Sequence, residues 1–244
     1  MQKYIVRACV AVGVLTLAAC GSSHVQTAGP GVATRNARPD RIIVQDFAAQ
    51  PSVVTLDSGV GARVVRAVSS GTSEDDQREA AAKVVKKLSE TLVKDLNATG
   101  IPTSPASASG MLAPNYSSLI VTGKVLSIDE GNRTRRNVVG FGVGASKVTA
   151  KVDVYLQSPG AAPRLLQSFN ADSESGKKPG LATAGVGAAA GRAATAAAVT
   201  VGSDVASESL GATVEDDAAR MAKEIAATLR SGLFADQGWM VPTR

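Results

Sequence analysis

The side chains of this chain that could do chemistry are few and scattered. Its 244 residues include one histidine, His24, and two cysteines, Cys9 and Cys20. A histidine-activated nucleophile or a zinc site needs imidazoles and thiols grouped at ligand spacing, and the sequence offers no such group. Ser146 beside Lys147 is a serine/lysine pair only on paper, because neighbours on a strand point to opposite faces. Asp46, Asp129, Glu130 and Asp153 could supply paired carboxylates, with a separation that sequence leaves open. Arg133, Arg135 and Arg136, ahead of Gly140-Phe-Gly-Val-Gly144, could neutralise an anion while glycine N–H groups cradle it. Phosphate loops of that kind run from a strand into a helix, whereas this one runs into an alternating strand near Ser146. The expectation is a glycine-rich turn or bulge opening that strand, with an anionic ligand or lipid headgroup as the alternative. No catalytic, metal-ligating or cofactor-binding residue is assigned, no cofactor is expected, and the chain is expected not to be an enzyme.

The elements that must position these groups follow from periodicity. Arg41-Ile-Ile-Val-Gln-Asp-Phe47 is a β-branched run suited to a buried strand. The tract from Ala48 to Thr72 carries breakers at intervals and reads as a long, partly ordered connection. A helix is predicted over 74–98, with Ser73 as cap, Glu74, Asp75 and Asp76 at its positive end, and Ala81, Val84, Val85, Leu88, Leu92 and Leu96 on one face. Lys83, Lys86, Lys87, Glu90 and Lys94 make the opposite, solvated face. Strands follow at Leu119-Ile-Val-Thr-Gly-Lys-Val-Leu-Ser-Ile128 and through Val148, Ala150, Val152, Val154 and Leu156, which alternate with polar neighbours. Arg164-Leu-Leu-Gln-Ser-Phe-Asn-Ala171 returns as a hairpin partner. A last helix over 213–233 has Thr213 as cap, Glu215, Asp216 and Asp217 in its opening turn, and Ala218, Met221, Ala222, Ile225 and Leu229 on one face. The EDD openings of both helices hint at duplication, although capping chemistry alone produces the same likeness. The fold class is therefore α+β: a mixed or antiparallel sheet of about four strands packed by two amphipathic helices. An Ala/Gly-rich insertion, about 180–202, has Gly187 and Gly191 at the spacing of close helix pairs; Arg192 and the small side chains argue against a stable transmembrane helix, so a helical or mobile insertion is expected, with an oligomer contact or membrane insertion as the alternatives.

The first residues carry an address. Lys3 and Arg7 lead into the apolar Ala11-Val-Gly-Val-Leu-Thr-Leu-Ala-Ala19, a core too short to span a bilayer. Leu17-Ala18-Ala19-Cys20 resembles the lipobox of bacterial lipoproteins, which implies a signal peptide over 1–19, cleavage before Cys20, and lipidation of Cys20 on its sulfur and new amino group. Gly21 rather than Asp after the cysteine implies, by the same resemblance, the outer membrane facing the periplasm. From Gly21 to Pro39 the chain is rich in breakers and reads as a flexible tether, with His24 a solvated linker residue. A single domain over 40–244 is expected, about 200 residues being enough for one core. Losing residues 1–19 changes the formal charge from +5 to +3, since it removes Lys3 and Arg7 and no acidic residue. With aromatics at only 3%, a stacking platform for nucleic acid has no support, and none is expected as a partner.

Ile43-Val-Gln-Asp-Phe47, Val54-Thr-Leu-Asp-Ser-Gly59, Gly123-Lys-Val and Gly140-Phe-Gly-Val-Gly-Ala-Ser146 together resemble the lipoprotein family catalogued as domain of unknown function 4410, over roughly 41–233. No catalytic residues come with that resemblance. The order of elements is also similar to the periplasmic domain of curli-secretion-channel lipoproteins. The expected function is a lipid-anchored, non-enzymatic binding or assembly module of the cell envelope, its partners being the membrane, envelope proteins or further copies of itself. The alternatives are an oligomeric channel or secretion accessory and a carboxylate-dependent envelope hydrolase.

Overall fold

The computed structural model describes residues 21–28, 35–68, 71–108, 115–139, 143–176 and 213–240. Cys20, the signal segment, Gly140 to Gly142 and the Ala/Gly-rich tract lie outside the described residues. An open mixed sheet forms from β1 (Ser22–Thr27), β2 (Arg41–Val44), β3 (Val54–Thr55), β4 (Thr103–Pro105), β5 (Ser118–Asp129), β6 (Lys147–Gln157) and β7 (Arg164–Glu174). Its order is β1-β7-β6-β5-β2-β4, with β3 added alongside β5. The strands β1, β7, β6 and β5 run antiparallel, and β2 lies parallel to both β4 and β5. The α+β class holds, and the expected strand count of about four is corrected to seven among the described residues. The three additions are strands whose sequences lack an apolar alternation. The first of them, β1, is made from residues expected to be tether, and it pairs with β7 from Ser22↔Glu174 to Thr27↔Phe169.

Among the described residues, four helices accompany the sheet: α1 (Val60–Val68), α2 (Ser73–Asn97), α3 (Arg133–Val138) and α4 (Val214–Leu229). A π-helical turn, Arg230–Phe234, and a last turn, Ala235–Gln237, extend α4. The first two helices occupy part of what sequence reads as connection and helix, and α2 is capped by Thr72 rather than Ser73. Thr72 Oγ1 accepts the Asp75 N–H at 3.2 Å while the Asp75 carboxylate accepts the Thr72 N–H at 3.3 Å. Thr213 and Asp216 repeat this reciprocal box on α4. Such a box satisfies two otherwise orphaned N–H groups, so the shared Thr-x-Glu-Asp-Asp openings have a local cause.

Helices α2 and α4 pack on each other and on one sheet face. Between them lies a single core containing Val84, Leu88, Leu92 and Leu96 of α2, Met221, Ile225 and Leu229 of α4, and the inward residues of β5, β6 and β7. In β6 the inward set is Val148, Ala150, Val152, Val154 and Leu156, as alternation predicts. Irregularities of register between Val125 and Ser127 of β5, and between Val154 and Tyr155 of β6, interrupt the ladder. Each bulge inserts one residue, which lets Val125 and Ile128, or Leu166 and Phe169, point inward although they are three apart. Gly123 of β5 leaves room for the Phe47 ring: a Cβ there would sit 2.6 Å from the Lys151 carbonyl oxygen and collide with Phe47 as well. That close approach explains why Gly123-Lys-Val and the aromatic Phe47 occur together in one chain. At the far end, Trp239 is buried against Phe234, ring centroids 5.9 Å apart, and its indole donates to the Asn36 carbonyl at 3.0 Å.

Candidate functional site

Two features gather polar groups. The first is an open groove of about 590 Å³ between α2 and the ends of β2 and β4, lined by Asp46, Ala82, Val85, Lys86, Ser89, Glu90, Val93, Pro105 and Ser107. Parallel strands release their chains here, and crevices outside the carboxyl ends of parallel strands are common ligand sites. The lining alternates by helical spacing: Ala82, Val85, Ser89 and Val93 recur every three or four residues and form an apolar stripe, with Lys86 and Glu90 on its rim. Ser89 is buried, and its hydroxyl has no hydrogen-bond partner among the described residues. A buried, unpartnered hydroxyl is costly by about 1–3 kcal/mol unless something meets it. The face read as merely solvated is thus split: Lys83 pairs with Glu79 at 2.7 Å, while Lys86 and Glu90 border the groove.

A second, wholly intramolecular cluster lies at one end of the sheet. Asp57 is buried; its carboxylate accepts the Gly59 N–H at 2.7 Å and lies 3.5 Å from the Arg133 guanidinium. Its own N–H donates to Glu130 at 2.9 Å, and Arg66 donates to its carbonyl. Arg136 is buried as well and donates to the carbonyls of Gly144 at 3.1 Å and Glu130 at 3.0 Å. Burial lowers its pKa, against the opposing pull of Asp57. Gly131 turns β5 into this cluster at φ 73°, where a Cβ would meet the carbonyls of Gly144 and Ala145. A side chain there would be strained twice, by conformation and by contact.

Beyond Arg136 stands Asp217, fully buried on α4. It accepts the Ser146 hydroxyl at 2.6 Å and a hydrogen bond from Arg220. Loss of solvent outweighs both partners and pushes its pKa from 3.8 to about 6. Ser146 in turn shares two hydrogen bonds with Ser175, 2.9 and 3.0 Å long.

The sequence candidates end up dispersed. Ser146 is buried and Lys147 exposed, as strand alternation demands. Asp46 lies in the groove; Asp129 accepts the Gly131 N–H at 2.8 Å; Glu130 accepts from Asp57; Asp153 takes the Ser168 hydroxyl at 2.5 Å. Asp129 is opposite Lys147 and Asp153 opposite Thr122, so six residues of β6, about 20 Å, separate the two carboxylates. His24 sits exposed on β1 rather than in a linker. Arg136 and Arg133 do converge, but on Asp57 and on backbone carbonyls. Among the described residues no group of three or more His, Cys, Asp or Glu could hold a metal ion, and no helix is long and apolar enough to cross a membrane. Sequence reasoning missed Asp57, Asp217 and Ser89. Asp217 carried a readable signal, since it falls three residues after Val214 and four before Met221, on the apolar stripe of its helix.

Comparison with known proteins adds the following. Residues 42–192 match the family described as "Domain of unknown function (DUF4410)". No curated protein matches the chain. Among solved structures, the chain is similar to the PelC dodecamer from Paraburkholderia phytofirmans, at 13% identity and TM-score 0.33, over 84% of this chain and 95% of that one. A PelC variant dodecamer from the same organism is similar at 12% identity and TM-score 0.32, over 84% and 98%.

Proposed function

The chain belongs to the family described as Domain of unknown function (DUF4410), and from that premise we propose that it is a lipid-anchored, non-enzymatic binding module of the cell envelope, outer-membrane bound and facing the periplasm. The observation that carries the reading is the groove on α2. Its volume falls in the range of ligand sites, its stripe is apolar, and the unmet hydroxyl of Ser89 on its wall asks for a partner's hydrogen bond. Asp46, Lys86 and Glu90 line it as well, a mixed charge pattern that would orient what enters. By contrast, the ionised groups at the end of the sheet are turned on one another, which suits a scaffold better than a proton-transfer site. Anchoring needs only Cys20, because each buried CH₂ of an acyl chain contributes about 0.8 kcal/mol and two chains give stable attachment.

The test is co-purification from detergent-solubilised membranes of the native host, comparing wild type, Cys20→Ala and Ser89→Leu. Wild type should carry lipid by intact mass and bring down a defined partner. Ser89→Leu, which fills the groove, should stay in the membrane and lose that partner. Equal recovery from Ser89→Leu refutes the groove, and an unmodified Cys20 in the wild-type protein refutes the anchor. Self-assembly is a second reading, favoured by β1: it pairs only with β7, and no described strand takes its outer edge, the side on which a strand of another copy would add. A native mass equal to one copy would remove it.

A further inference from the structure

The nine-residue helix α1 buries none of its residues. Val60, Val64, Val65 and Val68 are 63, 60, 63 and 82% exposed, and at about 100° per residue they occupy one side of the helix. Arg63 and Arg66 take the other side, and the helix has no acidic residue. Isolated helices this short do not persist in water, and valine is a weak helix former, so such a segment needs a surface to lie on. Scattered exposed valines need no explanation, but four on one face of an otherwise unpacked helix do.

Its location says which surface. Gly59, the residue before α1, sits against Thr134 and Asn132 at the start of α3. That short helix has no acidic residue; Arg133 and Arg136 turn inward, Arg135 is exposed, and the exposed Val138 at its end is followed by the exposed Val139 and Val143. Ser22, Glu174, Lys147 and Asp129 are successive partners across β1, β7, β6 and β5. Gly21 therefore leaves the sheet at the same end as α1 and α3, about 15 Å away across three strand spacings. Only one peptide bond separates Gly21 from Cys20.

We infer that the valine face of α1 docks on the anionic bilayer surface that holds Cys20, resting in the headgroup region with Arg63 among lipid phosphates. This rests on the lipid-anchor reading of the preceding section. Charge and position argue for the bilayer: Arg63 of α1 and Arg135 of α3 are exposed, exposed valines lie beside them, and the chain end that would bear the acyl groups emerges at the same end of the sheet. An apolar face with a basic flank is the composition of helices that lie in an interface rather than cross it. Membrane contact at a second point would also fix the orientation of the domain, with the open groove held to the side of α2 rather than left to swing on a single lipid.

The test places a reporter on the face. Val64→Trp in the full chain is reconstituted into vesicles of phosphatidylethanolamine and phosphatidylglycerol whose acyl chains carry bromine, and its emission is read over the background of Trp239 in the unsubstituted chain. The expected result is a blue shift with strong bromine quenching at position 64. Removing Arg63 (Arg63→Ser) should lower the docked fraction about fivefold, and phosphatidylcholine vesicles should lower it further. Emission typical of water, from protein whose Cys20 carries lipid by mass, overturns the docking while leaving the anchor intact. A blue shift without quenching also overturns it, because the face is then covered by protein, either a second copy or residues 177–212. Val64 is exposed, so the substitution leaves the core untouched; a far-ultraviolet spectrum matching wild type verifies this.

Discussion

Replacing Asp217 by asparagine tests the energetic account of the buried cluster. The aspartate is removed from solvent, and its pKa stands at about 6 instead of 3.8. Each unit is worth about 1.4 kcal/mol, so carrying the charge costs the folded state about 3 kcal/mol relative to the neutral acid. Between these two pKa values the native protein holds a proton that the unfolded chain has released, and stability falls as pH rises. The penalty is complete above pH 6 and absent below the unfolded value. Asparagine does not titrate. It can still accept the Ser146 hydroxyl, but it leaves the Arg220 guanidinium without a carboxylate, so the net effect at neutral pH combines a gain with a loss. The diagnostic quantity is the change of the difference. Urea unfolding of both full chains in the same detergent, at steps from pH 7 down to pH 4, should show wild type gaining about 2.4 kcal/mol relative to Asp217→Asn. Parallel profiles, with a difference that stays constant across that range, would refute the claim that this carboxylate is buried against its ionisation.

Three further outcomes are expected. Ser146→Ala removes a hydrogen bond that lowers the Asp217 pKa, so the pH midpoint of the same experiment should move upward and neutral-pH stability should drop by about 2 kcal/mol; an unmoved midpoint would show the 2.6 Å contact to be unimportant. Gly131→Ala forces a side chain to φ 73° and into two carbonyls, which should lower Tm by about 5 °C or more in a thermal scan; an unchanged Tm contradicts the turn geometry. Thr213→Ala breaks the reciprocal cap of α4 and should cost about 1 kcal/mol in urea, with no measurable loss counting against the cap.

What could be read from sequence was whatever repeats along an element. The apolar stripe of α2, the alternation of β6 and the acidic opening of α4 each follow from one face being buried, and each stands in the structure within a few residues of its expected place. The strand β1 was illegible for the opposite reason: in Ser-Ser-His-Val-Gln-Thr only Val25 packs toward the core, and backbone pairing with β7 holds the rest. Breakers downstream made the tract look like linker, although Asn36 within it is held by Gln237 at 2.7 and 3.0 Å. The carboxylates show a different limit. Asp57 falls in the tract read as a connection and Asp217 among the acidic residues of a helix's opening turn, since burial of a polar group is decided by elements far away in the chain. The groove depends on how α2 sits over the ends of β2 and β4, and Ser89 has no distinguishing neighbours in sequence.

The latch formed by Asn36, Gln237 and Trp239 ties together positions 201 and 203 residues apart in the sequence, and Arg164, at the head of β7, clips onto the same asparagine at 2.6 Å. Closing so long a loop costs entropy that these few hydrogen bonds must offset. They form only where the intervening sheet and helices have already brought their ends together, so one asparagine reports on whether the whole architecture is in place.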